Sequence, residues 1–427
     1  MDRDELVALL TPEAMALLDE FAGLDTTADA LGAVTALRRA GADARTSAAV
    51  LTQLRLRRRA RAKLGPFADR MLFTDDGLAQ ATRLEVAARH AQRFRDAGVR
   101  RIADLGCGIG ADAMAFAALG FDVAAVELDE VTAAIAAHNL APFPNAEVVH
   151  AAAEDFDLDA GLDSGGFDGV WLDPARRAKR RGATERGASR RLADPADWSP
   201  SLDFAFGLAP ERSVGVKLGP AIDHELLPGH GEAQWVSVRG ELVECAVWLG
   251  ATARPGVRRS ALVIDGRGGA VARADGGRAP TAHELTSATP VEEARDAPVG
   301  GLGARLHEPD PAVIRGRFVG QLARQLDGRM IAPGIAWITT DDPVATPFAQ
   351  SFDVVEVLKL DAGALKRELR ARGIGALEIK VRGVDLDPAE FRKRLSLRGD
   401  ASATLICTRL GDRRVAILAE RAPAAAA

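Results

Sequence analysis

The sequence predicts an α/β protein with an open, mainly parallel sheet that ends in an antiparallel hairpin. Short apolar segments alternate with helical ones between residues 100 and 218, which is typical of a parallel sheet with helices on both faces. Two further apolar segments, AQWVSV and LVECAVWL, are joined by a short turn at Arg239-Gly240-Glu241, which indicates a hairpin. Helices precede this sheet, and a smaller α+β unit follows it.

The chain has 427 residues, which exceeds one ordinary domain. Its apolar periodicity changes character three times along the sequence, so we predict four regions. They are a helical region 1–95, a sheet domain 96–250, a connecting α+β region 251–350 and a compact α+β domain 351–422.

Composition excludes several classes of protein. Hydrophobic residues make up 47% and charged residues 27%, which are globular values. The net charge of −5 excludes a wholly basic nucleic-acid coat, although a local basic surface remains open. Three cysteines in no paired spacing argue against a disulfide framework or a cysteine zinc site, and we expect no metal. With no signal peptide and no apolar run of about 18–20 residues, we expect a cytoplasmic protein that does not enter a membrane.

The first 95 residues carry apolar side chains at helical spacing, beginning with Leu6 and Leu9. One helix in this region is basic, and it forms either a solvated face or a surface that faces phosphates. Its basic residues are Arg55, Arg57, Arg58, Arg59, Arg61 and Lys63. After Gly65-Pro66, the segment FTDDGLAQATR leads into a helix of about four turns.

Five strands of the sheet follow in order, and helices are predicted between them. The strands are RIADL, DVAAVEL, AEVVHA, DGVWLD and SVGVKL. Beyond residue 250, RRSALVIDG and GAVARADGG predict a small hairpin, residues 276–298 predict a loop, and residues 311–326 predict one helix. After a strand at IAWITT, the last 70 or so residues read strand, helix, strand, helix, strand, strand.

The glycine-rich turn after RIADL is the most informative stretch. Asp104 ends the strand, glycines stand at 106, 108 and 110, and a helix begins at once. Glycine lets the backbone turn tightly and approach a ligand, and a helix N-terminus offers N–H groups. Glu127, about 20 residues on, is placed to accept hydrogen bonds from ribose hydroxyls. Gly106, Gly108 and Ala111 also fit the dinucleotide fingerprint G-x-G-x-x-G/A, so NAD and FAD are alternative ligands. Three features argue against a dinucleotide: Asp104 at the strand end, the third glycine at 110 and the terminal hairpin.

A second candidate site lies where DGVWLD ends, because chemistry in open α/β sheets lies beyond the carboxyl ends of the strands. We interpret Asp173 and Pro174 as catalytic candidates; the alternative is that Asp173 only caps a helix. Lys217, in SVGVKL, either faces the same pocket or extends to solvent.

A basic segment follows Pro174 and contains one acid, Glu185, against eight basic residues: Arg176, Arg177, Lys179, Arg180, Arg181, Arg186, Arg190 and Arg191. In a chain of negative net charge this cluster suits a polyanionic substrate. We take Arg176, Arg177, Arg180 and Arg181 as substrate-binding candidates, with a solvated loop as the alternative.

DLGCGIGAD, together with VAAVELD, resembles motif I and the acidic motif of class I S-adenosylmethionine-dependent methyltransferases. Over most of residues 70–420 the chain is similar to bacterial proteins that join such a Rossmann-like domain to a THUMP-like C-terminal domain. The additional segments that carry this resemblance are WLDPARR, VKLGPAID, EPDPAVIR and EIKVRGVDLDP. The resemblance implies S-adenosyl-L-methionine as the cofactor.

By the same resemblance, the cofactor is bound around the glycine turn. The implied residues are Asp104, Gly106, Cys107, Gly108, Gly110, Asp112, Glu127 and Glu154. Asp104 and the glycines would line the methionine end, and Glu127 would hold the ribose. Many relatives contact adenine through an Asp that is Ala152 here, so Glu154 or Asp155 would substitute.

Amino-methylating relatives carry D/N-P-P-Y/F/W where this chain has Asp173-Pro174-Ala175-Arg176. In them the acidic or amide side chain and the next carbonyl orient an exocyclic amine, and the aromatic residue, which this chain lacks, stacks on the base. THUMP domains bind tRNA in several modification enzymes, so the resemblance implies RNA, either tRNA or rRNA, as the partner. The alternatives are an RNA-binding protein with a weakened catalytic site, or a methyltransferase for a small molecule or protein. The oligomeric state stays open.

Overall fold

The computed structural model describes residues 1–24, 30–160, 165–174, 177–178, 190–191, 198–265 and 281–422. The chain divides into two compact units. The first comprises Met1–Leu218 with Val247–Arg254, and the second comprises Gly219–Ala246 with Pro255–Ala427. The four-region boundaries stay a prediction.

The first unit begins with helices, which confirms the helical N-terminus. They are α1 Arg3–Leu9, α2 Pro12–Glu20, α3 Ala30–Arg39, α4 Ala44–Leu64, α5 Asp75–Gln80 and α6 Leu84–Asp96. Four of them begin at a side chain that accepts a hydrogen bond from a backbone N–H of the first turn: Asp2, Thr11, Asp43 and Thr74. Such caps satisfy one of the N–H groups that a helix start leaves unpaired.

Helix α4 carries the basic residues, and several of them make contacts inside the unit. Arg57 is buried and donates from Nε to the Met71 carbonyl at 2.9 Å. Arg55 and Arg59 both bind the Asp75 carboxylate, at 3.1 and 2.8 Å. Neither the solvated face nor the phosphate-facing surface holds for Arg57, because its side chain is buried, and part of this helix holds the segment that follows it.

A parallel sheet follows in the first unit. Its strands and helices are β1 Arg101–Leu105, α7 Ala111–Ala118, β2 Asp122–Glu127, α8 Glu130–Leu140, β3 Ala146–His150, β4 Gly169–Leu172, β5 Arg177–Ala178, β6 Arg190–Arg191, α9 Leu202–Gly207 and β7 Ser213–Leu218. The order is β7-β4-β1-β2-β3 with every pair parallel, and β5 and β6 form a separate antiparallel pair. The five predicted strands are confirmed, and parallel pairing brings their carboxyl ends to one edge.

The second unit begins with β8 Glu232–Val238 and β9 Glu241–Leu249, although the last residues of β9, Val247–Leu249, belong to the first unit. Arg239 and Gly240 have φ of 52° and 81°, which is the left-handed backbone of a two-residue hairpin turn. The predicted hairpin is confirmed.

The prediction of a loop over residues 276–298 is wrong for part of that range. β10 Arg259–Asp265 pairs parallel with β8, and β11 Thr281–Ser287 pairs antiparallel with β10. Only Leu285 of β11 is buried, so the sequence of this strand shows no alternation of apolar and polar residues. The strand forms because its backbone pairs with β10. The segment GAVARADGG lies outside the described residues.

The C-terminal part of the second unit is a mixed sheet with helices on it. Its elements are β12 Arg305–Pro309, α10 Pro311–Arg315, α11 Val319–Gln325, β13 Arg329–Met330, β14 Ile338–Thr340, β15 Ala349–Lys359, α12 Ala362–Ala371, β16 Ile374–Val381, α13 Pro388–Leu395, β17 Ala401–Leu410 and β18 Arg413–Arg421. The order is β13-β14-β12-β15-β18-β17-β16. Along β17, Leu405 and Cys407 pack in one core cluster and Ile406 in another, as the two-residue period of a strand requires.

The predicted element order of the last 70 or so residues is confirmed, but the single helix over 311–326 is wrong. It is two helices, because Arg317 has φ of 54° and interrupts the helical backbone between α10 and α11. Among the described residues, no helix is long and apolar enough to cross a bilayer.

Candidate active site

The turn between β1 and α7 has a backbone shape that suits glycine. Gly106, Gly108 and Gly110 have φ of 88°, 57° and 85°, in the left-handed region that other residues rarely adopt. The amides of Gly106 and Cys107 both donate to the Val126 carbonyl, at 2.9 and 3.0 Å. A Cβ on Gly108 would meet no atom within 4 Å, so the turn faces open space at that residue.

Glu127, at the end of β2, is held against this turn. One carboxylate oxygen accepts the Gly108 amide at 3.0 Å, and the other accepts the Asp129 amide at 2.9 Å. A carboxylate has about four acceptor positions, so two such bonds fix its orientation without exhausting it. The structure thus brings Glu127 beside the glycine turn, as the sequence predicted, while its contact with ribose stays a prediction.

Asp104 is a buried carboxylate at the end of β1. It is 1% exposed, and neither oxygen accepts a hydrogen bond of ordinary geometry from the described residues. Burial raises the pKa of Asp104 well above its usual value, the negative charges of Asp112 and Asp173 raise it further, and the Lys217 charge opposes them. A buried acceptor without a donor is costly, so this position favours a bound group that carries N–H donors or a positive charge.

Asp173 follows β4 and pairs with Lys217 of β7. Nζ of Lys217 lies 2.6 Å from Oδ2 of Asp173 and 3.3 Å from the Gln80 carbonyl. Asp104 of β1 pairs in register with Trp171 of β4, and Asp173 follows Trp171 by two residues. Asp104 and Asp173 therefore both lie near the carboxyl-end edge of the sheet. Of the two readings of Lys217, the structure supports the one that faces the pocket.

The backbone after Asp173 also approaches the glycine turn. A Cβ placed on Gly106 would lie 3.3 Å from the Asp173 carbonyl oxygen. That distance is tighter than most side-chain contacts, so glycine at 106 lets the two loops come together. Pro174, which follows, is buried.

The residues 71–83 lie over the turn and are fixed from two sides. Gln53 exchanges two hydrogen bonds with the Phe73 backbone, at 2.8 and 3.0 Å. Asn139 does the same with Leu72 and donates to the Ile109 carbonyl. A Cβ on Gly77 would lie 2.5 Å from Ile109 Cγ2, so α5 packs directly on the turn.

Asp112 was predicted to bind the cofactor, but its carboxylate is bound to two side chains of this chain. Its oxygens accept from Thr82 Oγ1 at 2.6 Å and pair with His90 Nδ1 at 2.8 Å. Burial would raise the pKa of Asp112, but the His90 imidazole, the Lys217 charge and Thr82 together hold it below the usual value. The geometry gives Asp112 a positioning role that ties residue 82 to α7, and a direct cofactor contact stays a prediction.

An aromatic cluster, which the sequence did not reveal, lies beneath this edge. The His90 ring stacks on Trp171 at 4.2 Å between centroids, and Trp171 lies 5.6 Å from Trp248. Gly215 makes room for it, because a Cβ there would lie 2.6 Å from Trp171 and 2.7 Å from Trp248. The register Trp171↔Gly215 between β4 and β7 creates this fit, and no local sequence signal records it.

Of the remaining predicted site residues, the structure describes the side chains of Cys107 and Glu154 but not those of the arginines. Cys107 is buried, and burial, followed by the charges of Asp104 and Glu127, raises the pKa of its thiol well above the usual value, which disfavours the nucleophilic thiolate. Glu154 is exposed in a 3₁₀ turn, Ala153–Asp155, and its adenine contact stays a prediction. Arg176, Arg180 and Arg181 lie outside the described residues, and Arg177 is described only as backbone of β5.

Known families and proteins match this chain at both ends and over most of its length. Residues 349–421 match the family model of a THUMP domain-like region, and residues 2–60 match a domain of unknown function. A protein of Mycobacterium tuberculosis, described in two strains as an uncharacterized S-adenosylmethionine-dependent methyltransferase, is 32% identical over 370 residues, which are 83% of this chain and 91% of the relative.

A crystal structure from Porphyromonas gingivalis W83, described as a "putative methyltransferase", is also similar. It aligns with 99% of this chain and 100% of its own, at a TM-score of 0.69 and 21% identity. At that identity the likeness concerns the fold.

Proposed function

The chain belongs to the S-adenosylmethionine-dependent methyltransferases of class I, and within that family we propose that it methylates RNA in the cytoplasm, at an exocyclic amine of a base in tRNA or rRNA. The observation that carries the proposal is the position of Asp173 beside the glycine turn, with its carboxylate held by Lys217. When bound, S-adenosylmethionine supplies an electrophilic methyl group on a sulfonium.

The residues of the turn fit that cofactor. Asp104 is a buried carboxylate whose oxygens accept no hydrogen bond of ordinary geometry from the described residues, which is the property expected of a partner for a methionine ammonium. Gly108 borders open space in which a side chain would intrude. Glu127, at the end of the second strand, would accept hydrogen bonds from the ribose hydroxyls.

Asp173 would orient the acceptor. Its carboxylate accepts a hydrogen bond from the amine N–H, which aims the nitrogen lone pair at the methyl group. Transfer then depends mainly on positioning. Lys217 keeps one carboxylate oxygen in place, and the proton lost by the methylated amine passes to the carboxylate or to water. We assign this chemistry no metal.

Two observations support RNA as the substrate. The C-terminal 349–421 region matches a THUMP domain-like family, and the resemblance to THUMP domains implies RNA. Residues 176–191 carry eight basic side chains against one acidic one, directly after the proposed catalytic Asp. Phosphate contacts from such a segment would supply affinity that falls with salt.

The test is transfer of labelled methyl from S-adenosylmethionine to total bacterial tRNA and rRNA. The wild-type protein is expected to label RNA, and Asp173→Ala is expected to bind S-adenosylhomocysteine as the wild type does but to transfer no label. Equal labelling by Asp173→Ala would remove Asp173 from the mechanism. Label in protein or small-molecule fractions, with none in RNA, would assign a different substrate.

A further inference from the structure

A cavity of about 400 Å³ lies in the second unit, and none of its lining residues belongs to the candidate active site. It opens between the segment after β7 and the break between α10 and α11. Its lining residues are Ala221, Asp223, His224, Ile314, Arg315 and Arg317. Two of these six, Arg315 and Arg317, carry a positive charge and one, Asp223, carries a negative charge, so the cavity favours an anion.

Arg317 is the central cation of this pocket. Its side chain is exposed and makes neither a hydrogen bond nor an ion pair within the part of the chain that the structure describes. Its φ of 54° places a non-glycine residue in the left-handed region, which is strained and persists only where the surroundings enforce it.

A buried arginine enforces that conformation. Nη1 of Arg259 donates to the carbonyls of Gly316 and Arg317, both at 2.8 Å, and Nε donates to Thr289 at 2.8 Å. Its guanidinium also lies 4.3 Å over the Phe318 ring. Burial, then the charges of Arg317 and Arg324, lower the pKa of Arg259 to about 10. Its partners within the described residues are backbone carbonyls and the Ser287 hydroxyl, so its positive charge adds to that of Arg317.

Arg315 and His224 form the other side of the cavity. Arg315 donates from Nε to the Pro220 carbonyl at 3.2 Å and from Nη2 to the Ile222 carbonyl at 2.5 Å, which fixes its guanidinium. Nε2 of His224 lies 3.1 Å from the Arg315 carbonyl and must donate to it. The single lining carboxylate, Asp223, accepts the Glu225 amide at 3.3 Å.

We propose that this pocket binds a phosphate group, with Arg317 as the main contact and Arg315 beside it. A guanidinium fork matches phosphate oxygens, and a fixed arginine loses little freedom on binding. The group is supplied either by a small phosphate ester or by the backbone of an RNA. The inference does not depend on methyl transfer, because the pocket shares no residue with that site.

Calorimetric titration of the full chain with inorganic phosphate, at constant ionic strength, tests the site. Arg317→Gly is the informative variant, because it removes the guanidinium while φ of 54° suits glycine, so the fold is expected to persist. Arg398→Gly is the matched control, since Arg398 is an exposed arginine of the same unit and the same charge is lost. We expect at least a tenfold weaker phosphate affinity in Arg317→Gly and no change in Arg398→Gly.

Saturable phosphate binding that survives Arg317→Gly, or no saturable binding by the wild type, would overturn the proposal. Arg317→Lys is expected to restore part of the affinity, because it returns the charge without the fork. A single-stranded oligoribonucleotide that displaces phosphate from the wild type identifies an RNA backbone as the source. Displacement by a nucleoside monophosphate but not by the oligonucleotide identifies a small ester.

Discussion

The Lys217 ammonium lies 2.6 Å from the Asp173 carboxylate, at the edge where the parallel strands of the first unit end. The two side chains come from neighbouring strands, and they are 14% and 35% exposed. A partly buried pair of this kind fixes the carboxylate oxygen that faces the ammonium. Asp173 is thereby an oriented hydrogen-bond acceptor beside the glycine turn.

Lys217→Met is expected to lower methyl transfer by about 10²-fold, because the Asp173 carboxylate loses its orientation. Steady-state kinetics of methyl transfer measures the rate, and Lys217→Arg serves as the control that retains the charge. An unchanged rate in Lys217→Met would show that the pair has no part in the reaction.

Asp104→Asn is expected to affect stability and cofactor affinity in opposite directions. A carboxyl with a raised pKa stabilises the fold only at low pH and becomes destabilising as pH rises through that pKa, so the amide variant gains stability over wild type as pH increases. Affinity for S-adenosylhomocysteine falls by about tenfold or more, since a hydrogen bond to a charged group contributes roughly 1.5–3 kcal/mol. Thermal unfolding at pH 6 and 8, with and without ligand, separates the two; equal affinity would remove Asp104 from the cofactor site.

Gly215→Ala is expected to destabilise the first unit by about 1–3 kcal/mol, because the new methyl group collides with Trp171 and Trp248. Denaturant unfolding measures the change. Gly207→Ala is the matched control, since a Cβ there meets no atom within 4 Å and the residue ends a helix. Equal stability of the two variants would contradict the packing described here.

His307 is expected to make stability depend on pH. It is fully buried, bonded to Ser351 Oγ at 2.9 Å and Thr340 Oγ1 at 3.0 Å, and burial followed by the Arg305 charge lowers its pKa to about 4. The fold therefore holds His307 neutral while the unfolded chain takes up a proton below about pH 6.5, so stability present above that pH is lost as pH falls.

The loss between pH 6.5 and 4 amounts to roughly 3 kcal/mol. Urea unfolding across this range measures it, and His307→Gln is expected to flatten the dependence. His230→Gln, which changes an exposed histidine, is expected to leave it intact. A slope that is the same in all three proteins would show that another group is responsible.

The sequence predicted the parts of the fold and site that depend on neighbouring residues. The glycine turn, the strand–helix alternation and the β8–β9 hairpin each have a local cause, such as a left-handed backbone at Gly106 or at Gly240. Asp104, Glu127 and Asp173 were found because each follows or ends a strand whose apolar pattern is plain.

The remaining features depend on contacts that are distant along the chain. Lys217 reaches Gln80 across 137 residues, and Arg259 reaches the Arg317 carbonyl across 58 residues. The first contact helps to show that Lys217 faces the pocket and does not extend to solvent. The second holds the left-handed backbone at Arg317, which separates α10 from α11. Neither the His90–Asp112 pair nor the Trp171–Trp248 contact leaves a spacing that a sequence pattern reveals.

Calorimetric titration with S-adenosylhomocysteine of wild type, Gly108→Ala and Gly120→Ala tests the central claim that the turn between β1 and α7 holds the cofactor. Both glycines have left-handed φ, 57° and 88°, and a Cβ on either meets no protein atom within 4 Å, so both variants carry similar strain. We expect the wild type and Gly120→Ala to bind with similar affinity, and Gly108→Ala to bind at least tenfold more weakly. Equal binding by the two variants, or no binding by the wild type, would contradict this assignment of the site.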